Sequence, residues 1–576
     1  MANYRKRAVA ASAAAALTVA LAACGGGSDD NSSEEGGNAS AAKGGTLNYF
    51  IYAPIEHVDP QRIYVGRDIS NFGRTVYRSL VTFPASDDAT EASTPVPDLA
   101  TDTGTATEGG KVWSFTLKDG IKWEDGSEIT CEDFKYGASR VFAQDVITGG
   151  PNYIVSYLDI PQVDGEPAYK GPYTGEGQEH FDKAITCDGK TITYRFNKPW
   201  PDFPLAVAGL HMMDPYKQSE DEGDKSNFKI FSNGPYKLEG TWNKDSGGTL
   251  VRNENYDAAT DSTDIRKALP DKIAFKIGQT TEVIYDQLIA DSGEAQTGVT
   301  GQRVPPAYFS QITGPVEERL TTIESPYVDY LVPNFNSPDM KNPKVREALA
   351  AATNIDAWIA AGGGEKAYVP AESIVNPSVV GYEPNPAFAG PNSGDVEKAK
   401  QLLAEAGVSN VEIKFTYPQS DTADKQAAAL KQTWDEAGFK TVLDPLGDTY
   451  YDVVQKPGND SDVYWAGWGA DWPSAITVTP ALFSKVNLTK GSNGQNYGAY
   501  TTPEFEAAID KAANAATLDE QTAALQEADR ILGEDVAYIP LEIAVFNFLH
   551  GSKVANFNTT PASSEFPDLG VIGVKN

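Results

Sequence analysis

The sequence has few of the residues that hold metals or carry out thiol chemistry. Its 576 residues include three cysteines, four histidines and four methionines. The histidines are scattered, and no HExxH or paired CxxC motif occurs. A G-x-S-x-G nucleophile elbow and a complete P-loop are also missing. The sequence therefore predicts no metal site, no cofactor and no standard catalytic centre, which favours a protein that is not an enzyme.

Positive charge is also scarce. The chain has 47 Lys and Arg against 80 Asp and Glu, a formal net charge of -33. Nucleic-acid binding and adsorption to anionic lipid both require clustered Lys and Arg. The composition therefore excludes nucleic acid as a partner, and it suits a body that stays off an anionic membrane surface.

One apolar run, residues 8–21, suggests a membrane-related segment. It is about 14 residues long, against the roughly 20 needed to cross a bilayer, and it follows a short basic stretch. It leads into LAAC (21–24), which resembles a bacterial lipobox; an ordinary signal peptide with an incidental cysteine is the alternative. We predict a signal peptide over 1–23, lipidation of Cys24 and a flexible Gly- and Ser-rich tether over 24–45. The protein is then anchored at the extracytoplasmic face of the cell membrane by lipid alone.

The two remaining cysteines are Cys131 and Cys187. Outside the cytosol, an even remainder of cysteines indicates a disulfide. Two buried free thiols are the alternative. We predict the Cys131–Cys187 bridge.

The pattern of apolar residues indicates an α/β protein. The first half is rich in strands, and the second half alternates helices and strands, with helices predicted over 343–359 and 421–437. Strands are predicted over 327–335 and 538–548, and the simplest arrangement is two lobes with these strands as the crossovers and hinge.

Residues 113–134 (WSFTLKDGIKWEDGSEITCEDF) resemble the signature of the family 5 extracellular solute-binding proteins, the dipeptide and oligopeptide receptors of ABC importers. Further elements similar to those of the family span the chain: 58–60 (VDP), 76–80 (VYRSL), 233–238 (NGPYKL), 252–256 (RNENY), 335–336 (FN), 342–349 (NPKVREAL), 496–497 (NY), 503–505 (PEF) and 538–541 (YIPL). Two of these depart from the family pattern, since Arg78-Ser79 replaces Glu-Gly and Glu254 replaces Pro.

The resemblance implies a two-lobed periplasmic-binding-protein type II fold with an extra subdomain inserted in lobe I. Lobe I is then 44–325 plus 542–576, with the extra subdomain near about 85–224, and lobe II is 326–541. It also implies a monomeric receptor that captures peptides between the lobes and delivers them to the permease subunits of an ABC importer.

The segment 467–473 (GWGADWP) resembles the family's W-x-x-D-Y element, in which an Asp carboxylate holds the α-ammonium of a peptide. The resemblance implies this role for Asp471, since a desolvated ammonium needs a charge-assisted acceptor. Trp468 and Trp472 would form flat walls, and the small residues Gly469 and Ala470 complete the segment. The alternative is an Asp that caps a turn beside core tryptophans. The family's Tyr is Trp472 here, which leaves open a solute other than a peptide.

The start of the second lobe, Asn334, Phe335 and Asn336, is a further candidate for the cleft wall, with a structural hinge strand as the alternative.

Two other functions of the protein remain open from the sequence. One is a receptor of the same fold for a non-peptide solute, for signalling or for cell-wall lipid. The other is a secreted glycan hydrolase, which would need a convergent pair of carboxylates in a cleft.

Overall fold

The computed structural model describes residues 43–560 and 564–575. The predicted signal peptide (1–23), the lipidation site Cys24 and nearly all of the 24–45 tether lie outside the described residues. The described residues belong to one compact unit, Ser40–Asn576. Among them, no helix combines the length and the apolar character that a membrane crossing requires.

A five-stranded sheet forms the core of the N-terminal part. Its strands, in spatial order, are Tyr236–Asn243, Gly247–Arg252, Lys272–Ile277, Thr46–Ile51 and Gly298–Thr300. The Thr46–Ile51 strand is parallel to both of its neighbours, and all but its first residue are buried. Burial on both faces is usual for a central parallel strand, which explains why its residues read as a nearly continuous apolar run.

A seven-stranded sheet forms the core of the C-terminal part. Its main path runs Leu320–Glu324, Ile539–Leu549, Tyr327–Pro333, Val463–Gly469, Val411–Pro418 and Phe439–Leu446, and Tyr368–Pro370 pairs with the second of these. The long Ile539–Leu549 strand leads from this sheet back to the first, where Gly551 N–H donates to the Gly298 carbonyl at 2.9 Å. The predicted crossover by this strand is therefore present.

A separate four-stranded sheet lies within the predicted extra subdomain, residues near about 85–224, which we call the inserted region. Its order is Thr105–Thr107, Val112–Thr116, Thr191–Arg195 and Ile185–Asp188. Three two-stranded ribbons complete the strands of the described chain: Val81–Thr82 with Val96–Pro97, Gln162–Val163 with Glu166–Pro167, and Val554–Ala555 with Gly573–Val574.

The α-helices cover the sheets and bury one face each. They are Gly66–Gly73, Ala89–Ala92, Cys131–Arg140, Tyr153–Tyr157, Gln178–Ala184, Phe203–Gly209, Thr281–Ala290, Pro343–Ala352, Ile355–Gly362, Val396–Glu405, Asp421–Ala437, Tyr450–Val454, Thr479–Phe483, Pro503–Ala513 and Leu518–Glu534. The mixture of sheets and covering helices confirms the predicted α/β class.

The single helix predicted over 343–359 is wrong. The chain forms two helices, Pro343–Ala352 and Ile355–Gly362. Asn354 has an extended backbone, and its side-chain Oδ1 accepts from the Ala357 N–H at 2.8 Å. This N-cap satisfies a backbone donor that a continuous helix would bond internally, so the apolar period continues while the helix restarts.

Buried ion pairs join the inserted region to the segment 59–78 that precedes it. Arg140, at the end of the Cys131–Arg140 helix, donates from Nη1 to Asp59 Oδ1 at 2.7 Å and from Nε to Asp221 Oδ2 at 2.9 Å. Arg78 Nε likewise donates to Asp98 at 2.8 Å. Removing one member of such a pair would leave an uncompensated buried charge, so these contacts specify how the parts dock.

Cys131 and Cys187 form the predicted disulfide, with their Cα atoms 5.8 Å apart. The bridge joins the start of a helix to the Ile185–Asp188 strand beneath it. We expect the intact mass of the mature protein to rise by about two mass units on reduction. Alkylation of Cys131 and Cys187 should require prior reduction; two thiols that react without reductant would contradict the bridge.

Candidate functional site

A cavity of about 380 Å³ lies where the N-terminal part meets the end of the Val463–Gly469 strand. Segments far apart in sequence line it: 64–83, the end of the Phe203–Gly209 helix, the start of the Tyr327–Pro333 strand, and 467–473. Its size is near the lower end of the roughly 300–1,000 Å³ typical of small-ligand sites. The cavity is therefore large enough for a small solute and is lined by both parts of the chain.

Asp471 lies in the cavity wall two residues after the Val463–Gly469 strand. Its backbone N–H donates to Thr477 Oγ1 at 3.1 Å, which fixes the turn. Its carboxylate accepts from the hydroxyl of Tyr64, at 2.9 Å, and from the hydroxyl of Tyr153. No Lys, Arg or His among residues 43–560 and 564–575 lies within ion-pair distance of it. Burial raises the pKa of Asp471, and the two tyrosine hydrogen bonds partly offset that rise.

The two tyrosines act as neutral donors. Burial, and then the nearby Asp471 carboxylate, raises the pKa of both Tyr64 and Tyr153 above the ordinary value. An ionised carboxylate offers about four acceptor positions, of which these hydroxyls use two. Asp471 therefore retains acceptor capacity for a cationic group that enters the cavity.

The glycines beside Asp471 are required by contacts within the chain. A Cβ on Gly469 would lie 2.6 Å from Tyr327 Cδ1, and a Cβ on Gly467 would lie 2.4 Å from Asp329 Oδ1. Both contacts are shorter than a real Cβ tolerates, so the neighbouring strand can approach only where the side chain is missing. Gly469 and Ala470 also line the cavity.

The two tryptophans of the segment lie in different surroundings. Trp468 is half-buried, and its Nε1 donates to the Thr477 carbonyl at 2.9 Å. Trp472 is 2% exposed, and its ring packs edge-on against Tyr153 with ring centroids 4.8 Å apart. Trp472 Nε1 donates to the buried carboxylate of Asp202. Both tryptophans line the cavity, and Trp472 also belongs to the aromatic core of the inserted region, so a role of either ring in ligand binding stays a prediction.

We expect Trp472→Phe to lower the free energy of unfolding by about 1–3 kcal/mol. The phenyl ring keeps most of the packing but removes the Nε1 donor, so the fully buried Asp202 carboxylate loses this hydrogen bond. Chemical denaturation measures the change. Trp468→Phe is the matched control, because its Nε1 bond is at a half-buried position and its loss should cost less. Equal destabilisation by the two variants would contradict the expectation.

Asn334, Phe335 and Asn336 do not lie with Asp471. They follow the other end of the Tyr327–Pro333 strand, about 20 Å away along the strand at roughly 3.3 Å per residue. Asn334 Nδ2 donates to the Ser461 carbonyl at 2.7 Å, and its Oδ1 accepts from Asn336 N–H at 3.0 Å. These contacts agree with the structural alternative, and a role in ligand binding stays a prediction.

Sequence reasoning missed four residues that form this site: Tyr64, Tyr153, Tyr327 and Glu565. None belongs to a motif that the sequence analysis used, and Tyr64 and Asp471 are 407 positions apart. An isolated tyrosine carries no local signal of the carboxylate that it contacts, so only the folded chain identifies these partners.

Two sheet-centred bodies with a cavity at their junction define a two-lobed solute-binding fold. A solved structure, "Clavulanic acid biosynthesis oligopeptide binding protein 2", matches with a TM-score of 0.83 at 25% identity, covering 94% of this chain and 97% of that chain. The periplasmic oligopeptide-binding protein OppA of Salmonella typhimurium is 27% identical over 455 residues, 75% of this chain and 76% of its own length. A glutathione-binding protein, GsiB of Salmonella paratyphi A, is 24% identical over 470 residues, 79% of this chain and 82% of its own length.

Residues 94–490 match the model of the family described as bacterial extracellular solute-binding proteins, family 5. The chain belongs to this family, as its motifs predict. It has the two-lobed periplasmic-binding-protein type II fold, with the extra subdomain in lobe I. Members of the family bind solutes for ABC transporters and are not enzymes, so the prediction that the chain is not an enzyme is confirmed and the glycan hydrolase alternative is removed.

Proposed function

We propose that this protein is a lipid-anchored extracytoplasmic receptor that captures peptides between its two lobes and delivers them to an ABC importer. The observation that carries the proposal is the Asp471 carboxylate, which lies in the cavity with tyrosine donors but with no cation among the described residues. The names of the relatives, an oligopeptide-binding protein among them, support a peptide as the ligand.

The electrostatics of Asp471 suit a peptide's α-ammonium. Burial raises the pKa of this carboxyl, and the two tyrosine hydrogen bonds offset that rise only in part, so the ionised form lacks full compensation from the described residues. An entering ammonium would supply the missing positive charge and form short, charge-assisted hydrogen bonds. Most of the binding free energy would therefore come from the peptide's α-ammonium, and the peptide's side chains, which occupy the rest of the cavity, can vary.

Closure of the lobes would couple binding to transport. In the proposed arrangement, Tyr64 and Tyr153 belong to lobe I, and Asp471 belongs to lobe II. The hydrogen bonds from these two hydroxyls to Asp471 would form on closure and break on opening. A ligand that contacts both lobes binds the closed form better and so shifts the equilibrium toward it. The closed monomer would then dock on the permease.

Anchoring is proposed to depend on Cys24 and the tether that follows. A flexible segment of about 20 residues has a root-mean-square reach of roughly 25 Å, enough to keep the receptor near the permease. Replacing Cys24 by Ser should release the protein into the medium and abolish incorporation of labelled fatty acid. Retention of Cys24→Ser in the membrane fraction would contradict the lipid anchor.

Ligand identity is tested directly on the purified protein. Native mass spectrometry, followed by denaturation and sequencing of released ligands, should yield short peptides. Calorimetry should then show binding of a free tripeptide and at least roughly tenfold weaker binding of its Nα-acetylated form, because acetylation removes the ammonium. A non-peptide solute in the released fraction, with no binding of free peptides, would instead support the second candidate, a receptor of the same fold for another solute.

A further inference from the structure

Glu565 is a second carboxyl group in the wall of the same cavity. It is 4% exposed, and two contacts hold the segment 565–568. Its backbone N–H donates to the Thr560 carbonyl at 3.0 Å, and three residues later Asp568 forms a buried ion pair with Arg74, also at 3.0 Å. The carboxyl group is therefore held at the cavity by a fixed segment.

The Glu565 side chain has no cationic partner among residues 43–560 and 564–575, and no hydrogen bond to it is found there. Burial is the cause of the rise of its pKa to about 8, with no nearby cation to offset it. A carboxyl group in this state is costly to ionise unless a ligand supplies the positive charge.

The positive side chains of the cavity wall are already neutralised by carboxylates of the chain. Arg74 pairs with Asp568, and Arg266 Nη2 donates to Asp98 Oδ2 at 2.7 Å. His211 Nδ1 lies 2.6 Å from Asp214 Oδ2. Asp471 and Glu565 are left as the wall's carboxyl groups without a cation in the described chain.

Tyr327 lies near both of these groups. Burial raises the pKa of its hydroxyl first, and the charges of Glu565 and Asp471 raise it further. A Cβ on Gly66 would lie 3.3 Å from the Tyr327 hydroxyl and 3.9 Å from the Cβ of Ser564, so Tyr327 and the residue before Glu565 both lie beside Gly66. Asp471 and Glu565 therefore line one cavity and act on the same tyrosine.

We propose that Glu565 binds a second cationic group of the ligand, the basic side chain of a peptide whose α-ammonium is held by Asp471. The protein would then select peptides with an N-terminal lysine or arginine. This inference rests on the proposed function, because it takes the α-ammonium on Asp471 as given. The cavity wall has two carboxyl groups without a cation in the described chain, so a ligand with two positive charges complements it.

The test compares three tripeptides by calorimetry with the full mature protein: Lys-Ala-Ala, its Nε-acetyl-lysine form and norleucine-Ala-Ala. In the wild-type protein, Lys-Ala-Ala should bind roughly tenfold tighter than either of the other two, since only it carries the second charge. Glu565→Gln, which keeps the size of the side chain, should bring the three affinities within about twofold of each other. Thermal melting verifies that the variant folds.

The possible outcomes are distinguishable. Equal affinities of the three peptides for the wild-type protein would overturn the role of Glu565, and this comparison needs no variant. A lysine preference that survives in Glu565→Gln would overturn it as well. Failure of all three peptides to bind would overturn both the inference and the peptide receptor itself, whereas binding of all three without preference would leave the receptor intact.

Discussion

The Asp471→Asn variant should bind peptides at least roughly thirtyfold more weakly than the wild-type protein, a loss of about 2 kcal/mol or more. Asparagine keeps the size of the side chain and can still accept from one of the tyrosines Tyr64 and Tyr153. It removes the negative charge that an ammonium would pair with in a site partly shielded from water. Isothermal titration calorimetry with a free tripeptide measures the effect.

Two comparisons isolate the ammonium from other contacts. The Nα-acetylated tripeptide should bind the wild-type protein and Asp471→Asn with similar affinity, because the interaction is already lost with the ligand. Asp510→Asn is the matched control, since Asp510 is exposed on the Pro503–Ala513 helix and distant in sequence from the cavity segments. If free peptide binds Asp471→Asn and the wild-type protein equally, the ammonium role of Asp471 is wrong.

The second large effect concerns stability and pH. Glu542 is 1% exposed and lies directly across from Asp329 in the seven-stranded sheet. Gln426 Nε2 lies 3.3 and 3.4 Å from the two Glu542 carboxyl oxygens. Burial, and then the Asp329 charge, raises the pKa of Glu542 to about 9. Burial likewise raises the pKa of Asp329 to about 7, with Arg303 partly offsetting it.

These raised values set the direction of the pH dependence. Near pH 4 and below, Glu542 is protonated in both the folded and the unfolded chain, so it does not make the free energy of unfolding depend on pH. Above the ordinary pKa of a glutamate, Glu542 is ionised in the unfolded chain but stays protonated in the folded chain. The free energy of unfolding therefore falls by about 1.4 kcal/mol per pH unit for each such group, until the pH reaches the pKa of the folded state. The wild-type protein should therefore lose stability from pH 5 to pH 8, by about 4 kcal/mol from Glu542 alone.

Glu542→Gln should remove this contribution. The glutamine amide is similar in shape to the carboxyl group, stays neutral at every pH and can donate to Asp329. The free energy of unfolding of the variant should therefore exceed that of the wild-type protein by about 2–4 kcal/mol at pH 8, and the two values should be similar near pH 4.5. Denaturation at several pH values gives the slope. Glu324→Gln, an exposed change on the neighbouring Leu320–Glu324 strand, is the control and should leave the slope as it is. A wild-type slope unchanged by Glu542→Gln would contradict the pKa assignment.

Local features of the fold could be predicted from the sequence because their causes lie within a few residues. The 421–437 helix has the bounds that its apolar spacing and the following Gly438 predict. The Cys131–Cys187 pairing followed from the count of cysteines and the compartment. The break at Asn354 was missed, since an N-cap hydrogen bond competes with a helix whose apolar period continues across it.

The site could be predicted only in part. The motif around Asp471 identified the segment that lines the cavity, Trp468 and Trp472 included, but it gave no sign that Trp472 also packs into the core of the inserted region. It gave no sign of Tyr153, which is 318 positions from Asp471. Such contacts join segments that share no local pattern, and only their packing brings them together.

The sequence by itself determined the acidic balance, the α/β class, the disulfide and the family, because composition, periodicity and motifs are properties of the chain that folding does not alter. The tertiary structure alone decided which carboxyl groups lose water and which find a partner. Asp471 and Glu565 lie unmatched in one cavity, while Glu542 faces Asp329 inside a sheet. Desolvation and charge pairing depend on what surrounds a group in space, and chain segments hundreds of residues apart supply those surroundings.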